Sequence, residues 1–260
     1  MNLSMTGIGT ALTQVTEAKQ HVSISIPAGK GGVLRAVELQ VWGTLETIVN
    51  GGGKVVLTNT SADWAPFELI SPTQTSVTLG GLAGHPARFP CTKELPGNST
   101  AYADYTPYDN QSQKLSVTLI WEKGAAMGST ETFAKVNYPL KAAAVTATTR
   151  ASSGTIAIPG GKGGTSVYLG HFVYPTVETV VNGGGKAEWV CDAYDIVPTD
   201  FYTTVWTTVG AGMGGGVSNG HIVPYVMDVP ANSTFTIYYT PQDDQSQTLA
   251  SLLIWEHQKS

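Results

Sequence analysis

One short pattern in this sequence gathers side chains that could hold a hard cation. Thr-Pro-x-Asp-x-Gln-Ser-Gln runs from Thr106 to Gln113 and recurs from Thr240 to Gln247. Asp109, Asn110, Asp243 and Asp244 offer the oxygen ligands that Ca²⁺ accepts, but the DxDxDG spacing of a calcium loop is absent. A Pro-initiated turn whose Asp caps backbone amides accounts for the same residues and is the preferred reading. The histidines, His21, His85, His171, His221 and His257, form no HxH or HExxH pair. No GxSxG nucleophile elbow is present. Gly210-Ala-Gly-Met-Gly-Gly215 matches a dinucleotide fingerprint by letter only, because it leads into Gly216-Val-Ser-Asn-Gly220 rather than a helix. The two Gly-Lys-Gly-Gly loops lack the spacing and the Ser/Thr of a phosphate loop. These absences predict a protein that is not an enzyme and carries no cofactor.

The elements that position these residues come from an internal duplication. Ile26-Pro-Ala-Gly-Lys-Gly-Gly32 returns as Ile158-Pro-Gly-Gly-Lys-Gly-Gly164, 132 residues later. Leu45-Glu-Thr-Ile-Val-Asn-Gly-Gly-Gly-Lys54 returns as Val177-Glu-Thr-Val-Val-Asn-Gly-Gly-Gly-Lys186 at the same spacing. Tyr105-Thr-Pro and Leu119-Ile-Trp-Glu122 return as Tyr239-Thr-Pro and Leu253-Ile-Trp-Glu256, 134 residues on. Four matches in one order identify a tandem repeat. Residues 1–127 form the first expected unit, 128–140 a linker and 141–260 the second. A short helix over Thr130 to Val136 is weakly signalled within that linker.

Each unit reads as about eight short strands by alternation and β-branching. In the first these are His21–Ile26, Val33–Trp42, Leu45–Asn50, Lys54–Asn59, Phe67–Ile70, Ser76–Leu79, Thr100–Tyr105 and Lys114–Trp121. The second repeats the series from Thr155 to Trp255. The glycines of Asn50–Gly53 and Asn182–Gly185 are expected to supply φ > 0. The predicted fold is therefore all-β, two tandem duplicated sandwiches of jelly-roll type, with an immunoglobulin-like sandwich as the alternative. Trp121 and Trp255 fall on the apolar face of the last strand of each unit and read as core. Glu46 and Glu178 read as carboxylates flanking a hairpin. Cys91 and Cys191 occupy non-equivalent positions, so free buried thiols are expected rather than a duplicated disulfide.

A net charge of −5 and a single lysine, Lys19, in the first twenty residues argue against direct nucleic-acid binding. Residues 1–20 lack the charged and apolar regions of a signal peptide, which suits a mature chain or one made without a secretory signal. At the level of architecture the chain resembles the double jelly-roll proteins of icosahedral viruses of archaea and bacteria. That resemblance implies a virion coat or vertex component, a homotrimer whose six sandwiches form a pseudo-hexagonal block, with other virion proteins as partners. The alternative is a carbohydrate-binding, lectin-like tandem module, secreted or at a cell surface, with a glycan as ligand. Unduplicated aromatic positions weigh against it: Tyr108 faces Gln242, and Trp64 faces Ile196.

The two final strands differ where assembly would be decided. Leu115, Val117, Leu119 and Trp121, like Leu249, Leu253 and Trp255, mark an inward apolar face. The opposite face reads Ser116, Thr118, Ile120 and Glu122 in the first unit but Ala250, Leu252, Ile254 and Glu256 in the second. A strand apolar on both faces is covered on both sides. Ala250, Leu252 and Ile254 are therefore expected against the first unit or a neighbouring subunit.

Overall fold

The computed structural model describes residues 1–12, 16–43, 52–72, 87–108, 112–138, 149–175, 184–194, 199–204, 221–242 and 247–259. Among them the regular elements are strands, and every strand pairing is antiparallel. The first unit contains β1 (Asn2–Ile8), β2 (Ala18–Ile26), β3 (Gly32–Gly43), β4 (Gly52–Asn59), β5 (Glu68–Pro72), β6 (Ala87–Leu95), β7 (Ser99–Pro107) and β8 (Gln113–Lys123). They form two sheets, ordered β1-β8-β3-β6 and β2-β7-β4-β5. Pairing the strands 1 with 8, 2 with 7, 3 with 6 and 4 with 5 describes a ribbon rolled into an eight-stranded jelly roll.

The second unit repeats that order with β9 (Thr130–Asn137), β10 (Ala151–Ala157), β11 (Gly164–Pro175), β12 (Gly184–Cys191), β13 (Thr199–Thr204), β14 (His221–Pro224), β15 (Asp228–Val229), β16 (Thr234–Pro241) and β17 (Gln247–Gln258). Its sheets run β14-β11-β17-β9, with β15 also on β11, and β10-β16-β12-β13. Here β14 and β15 together stand where β6 stands in the first unit. The chain is two tandem duplicated β-sandwiches of jelly-roll type.

Three findings differ from the sequence reading. Thr130–Asn137 is a strand, β9, rather than a helix, and it pairs with β17 from Asn137 opposite Ser251 to Thr130 opposite Gln258. Five of its eight residues are buried, on both faces of the strand, which a helix could not arrange against a sheet edge. β6 holds Pro90, which a strand tolerates because β6 is the edge of its sheet and meets a bulge between Leu34 and Ala36. β1 is an added edge strand whose Leu3 and Met5 pack on the core. The strands read at Leu45–Asn50, Ser76–Leu79 and Val177–Val181 lie outside the described residues.

The duplicated motifs meet in space, two at each end of a sandwich. At one end Gln113, fully buried, accepts through Oε1 from the Gly52 amide (3.1 Å) and from the Tyr105 hydroxyl (3.1 Å). Gly52 holds φ 108° and its equivalent Gly184 φ 119°. The Gly52 carbonyl accepts from the Tyr108 amide, and the Gly184 carbonyl from the Gln242 amide, each at 2.8 Å. At the other end the indole of Trp121 donates to the Lys30 carbonyl (2.7 Å) and that of Trp255 to the Lys162 carbonyl (2.6 Å). A Cβ at Gly32 would lie 1.9 Å from the Glu122 carbonyl oxygen, and one at Gly164 1.9 Å from that of Glu256. The repeated residues are repeated because each closes a jelly roll at a point where backbone passes backbone.

Gln113→Leu keeps the volume but removes the acceptor of the Gly52 amide at a buried site. Urea denaturation should show a loss of about 1–3 kcal/mol; an unchanged midpoint would mean that the carboxamide does not hold this end.

Candidate functional site

The residues that most need a neighbour lie where the two units meet. Ala250, Leu252 and Ile254 are 0%, 0% and 1% exposed. They belong to one apolar cluster with Ala134, Val136 and Phe172 of the second unit and Trp64, Phe67, Leu69 and Ile70 of the first. β17 is thus buried on both faces, Leu249, Leu253 and Trp255 facing the second unit's own core. Burial of Leu252 and Ile254 contributes about 1.5–3 kcal/mol each.

Polar contacts set the register of this junction. Ala134 donates its amide to the Pro66 carbonyl (3.2 Å), and Phe67 forms a parallel bridge with Ala134. The Thr92 amide donates to Thr132 Oγ1 (2.9 Å), and the Val136 amide to Glu68 Oε2 (3.2 Å). Tyr108 and Tyr138 meet edge to face, 6.3 Å between centroids.

At the centre is Lys93, with no exposed surface. Its ammonium donates to the Trp64 carbonyl and to Glu131 Oε1, each at 3.0 Å. It stands 3.9 Å from the centre of the Phe133 ring and 5.5 Å from that of Phe67. Lys162 approaches the same Phe133 ring at 4.4 Å and pairs with Asp63 at 3.5 Å, while Lys259 reaches Glu131 Oε2 at 3.1 Å. Three cations, two carboxylates and two aromatic rings therefore stitch β6 and the 63–66 loop to β9 and the second unit's Gly-Lys-Gly-Gly loop. Burial lowers the Lys93 amine to about 8, against the pull of Glu131, which favours the charged form.

Most sequence candidates for chemistry have structural places. Cys91 and Cys191 are free and buried, and burial pushes the Cys91 thiol up to about 12, so its thiolate is not populated at neutral pH. His171 accepts from the Trp189 indole at Nε2 (2.7 Å) inside the second unit's core. His257 contacts the Gly163 carbonyl through Nδ1 (2.6 Å), and His221 stands opposite His171 on β14. His21 stacks on Tyr105 at 5.8 Å, and burial lowers its pKa. Trp64, Trp121, Trp189 and Trp255 are buried. A cleft of about 380 Å³ beside Gly32, Glu94 and Gly124 has Glu94 as its ionisable lining residue. No group of three or more His, Cys, Asp or Glu side chains converges among the described residues. Asp109, Asn110, Asp243, Asp244, His85, Glu46, Glu178 and Gly210–Gly215 lie outside them. Sequence reasoning missed the Lys93–Glu131 pair: Lys93 aligns with Met227 in the repeat, and nothing local marks it as buried.

No protein-family model matches the chain, and no curated protein does. Among solved structures it is similar to PNGase F, a glycosylasparaginase from Flavobacterium meningosepticum, at 9% identity and TM-score 0.45, over 100% of this chain and 96% of that one. It is also similar to the major capsid protein P2 of bacteriophage PM2, at 10% identity and TM-score 0.35, over 98% and 97% of the two chains. A chain of infectious bursal disease virus strain Gx matches at 10% identity and TM-score 0.27, over 98% of this chain and 71% of that one. The likeness is weak and architectural. At these values it carries no argument about activity, and the fold stands on the strand order itself.

Lys93 gives the junction a pH signature. Its folded-state value near 8 lies below the ordinary 10.5, so unfolding takes up a proton between those values and this group's share of stability rises with pH. Against a Lys93→Met/Glu131→Gln variant, the wild-type chain should gain on the order of 1–3 kcal/mol between pH 7 and pH 10 in urea denaturation. A difference that does not move with pH would show that Lys93 is not held in the dry site described.

Proposed function

We propose that the chain is a structural, self-assembling protein, a coat or vertex component of a virion built from paired jelly rolls, and not an enzyme. One observation carries this reading: the first sandwich's core is continuous with the outer face of the second unit's sheet, and among the described residues the join uses one surface of each unit while its counterparts at Asn2, Ser4 and Thr6 and at Val226 and Gln242 stand exposed. A position repeated by duplication and covered once per chain leaves the other copy of that position to a neighbouring subunit, as in a larger array. An antiparallel sandwich with short turns also holds its shape without a ligand, as a building block requires.

The lectin-like alternative draws less support. Trp64 and Tyr108, which a sugar-stacking site would need at the surface, are buried at 2% and 0% exposure. The virion is the corresponding location, and the partners are further copies of this chain and other virion proteins, with no direct contact to nucleic acid.

Size exclusion with mass detection, followed by negative-stain imaging, tests this proposal. A closed homo-oligomer is expected, a trimer for six sandwiches in a ring. A monodisperse monomer at high micromolar concentration would overturn it.

A further inference from the structure

The duplication allows each surface of the internal junction to be traced to its counterpart. β9 lies on β17 as β1 lies on β8: Thr132, Ala134 and Val136 stand opposite Glu256, Ile254 and Leu252, while Asn2, Ser4 and Thr6 stand opposite Glu122, Ile120 and Thr118. The row Thr132, Ala134 and Val136 is covered by the first unit. Its counterpart, Asn2, Ser4 and Thr6, is exposed along the edge of β1.

The covering side has a counterpart as well. Lys93-Glu-Leu-Pro-Gly-Asn98 aligns with Met227-Asp-Val-Pro-Ala-Asn232, and Asn98 and Asn232 share φ values of 58° and 59°. Thr92, whose amide binds Thr132 across the internal junction, therefore corresponds to Val226, and Tyr108, which meets Tyr138, corresponds to Gln242. Val226 and Gln242 are exposed. The large hydrophobic side chains that stand exposed among the described residues are Met1 at 86%, Ile8 at 62% and Val226 at 77%. Ile8 continues the exposed row of β1 and Val226 stands at the position aligned with Thr92, one on each open surface.

We infer that these surfaces bind each other between copies. The outer face of β1 and β8 in one molecule receives the 225–227 segment and Gln242 of the next, a head-to-tail contact that repeats the internal junction. This rests on the self-assembly reading and deepens it by naming the partner, a second copy, and the register. The composition of the faces fits: the internal junction is apolar and buried at Ala250, Leu252 and Ile254. The open face presents Ser4, Thr6, Thr118 and the Arg35–Glu122 pair, as suits a contact between molecules that are soluble before they meet. A contact between unlike surfaces closes into a ring or runs on as a filament, and does not stop at a two-fold dimer.

Register-specific disulfide trapping tests the inference on the full chain, whose native Cys91 and Cys191 are buried. Asn2→Cys and Val226→Cys chains are purified separately, mixed and oxidised, as are Ile8→Cys and Gln242→Cys chains. Cross-linked dimers are expected in both mixtures, and each single variant alone should give little. Self-cross-linking of single variants, or no cross-link in a chain that still assembles by size exclusion, would overturn the inference while leaving self-assembly standing. A chain that stays monomeric throughout would overturn both.

Discussion

The structure depends on one strand that has no polar face to give to water. β17 buries Leu249, Leu253 and Trp255 in its own sandwich and Ala250, Leu252 and Ile254 against the other. Covering the second row forces the first unit to lie on the second unit's outer sheet. The register then follows from few choices: β9 extends that sheet, and the 63–67 loop and β6 close over it. The same closure buries Lys93, which explains why its ammonium is met by a carbonyl, a carboxylate and an aromatic face at once. A buried ion pair adds little net stability, but it penalises any docking that leaves one partner alone. The apolar rows supply the attraction and the ionic cluster fixes the arrangement.

Duplication has preserved and discarded different things. The Gly-Lys-Gly-Gly and Ile-Trp-Glu elements recur in both units where backbone crowding at Gly32 and Gly164 and the indole bonds of Trp121 and Trp255 hold the same end of each sandwich. Packing positions drifted freely: Leu39 and Leu57 in the first core stand where His171 and Trp189, bonded to each other, stand in the second. Surfaces diverged most. Lys93 is the junction's cation where the repeat holds Met227, and Thr118 and Ile120 are partly exposed where Leu252 and Ile254 are sealed. The motifs that first suggested chemistry are those most tightly bound to the fold.

Much of this was legible in the sequence, and the failures have physical causes. Alternation located the central strands of both units and the two-sided apolar character of β17. β6 was missed because Pro90 reads as a breaker unless the strand is known to be an edge. The segment of β9 carries a linker-like, weakly helical signal because burial on both faces, by different units, removes the alternation that marks a strand. The Lys93 cluster was illegible because its members are brought together only by the docking of the two sandwiches. Lys93 and Glu131 are 38 residues apart, and nothing local marks either as buried.

Calorimetric unfolding of the wild-type chain and of a Leu252→Ser/Ile254→Ser variant tests most directly whether β17 makes the two jelly rolls one body. The wild-type chain should unfold in a single cooperative transition. The variant, which places two hydroxyls in the dry junction, should separate into two transitions as each sandwich melts by itself. Two independent transitions in the wild-type chain, or a variant whose unfolding is unchanged, would contradict the account.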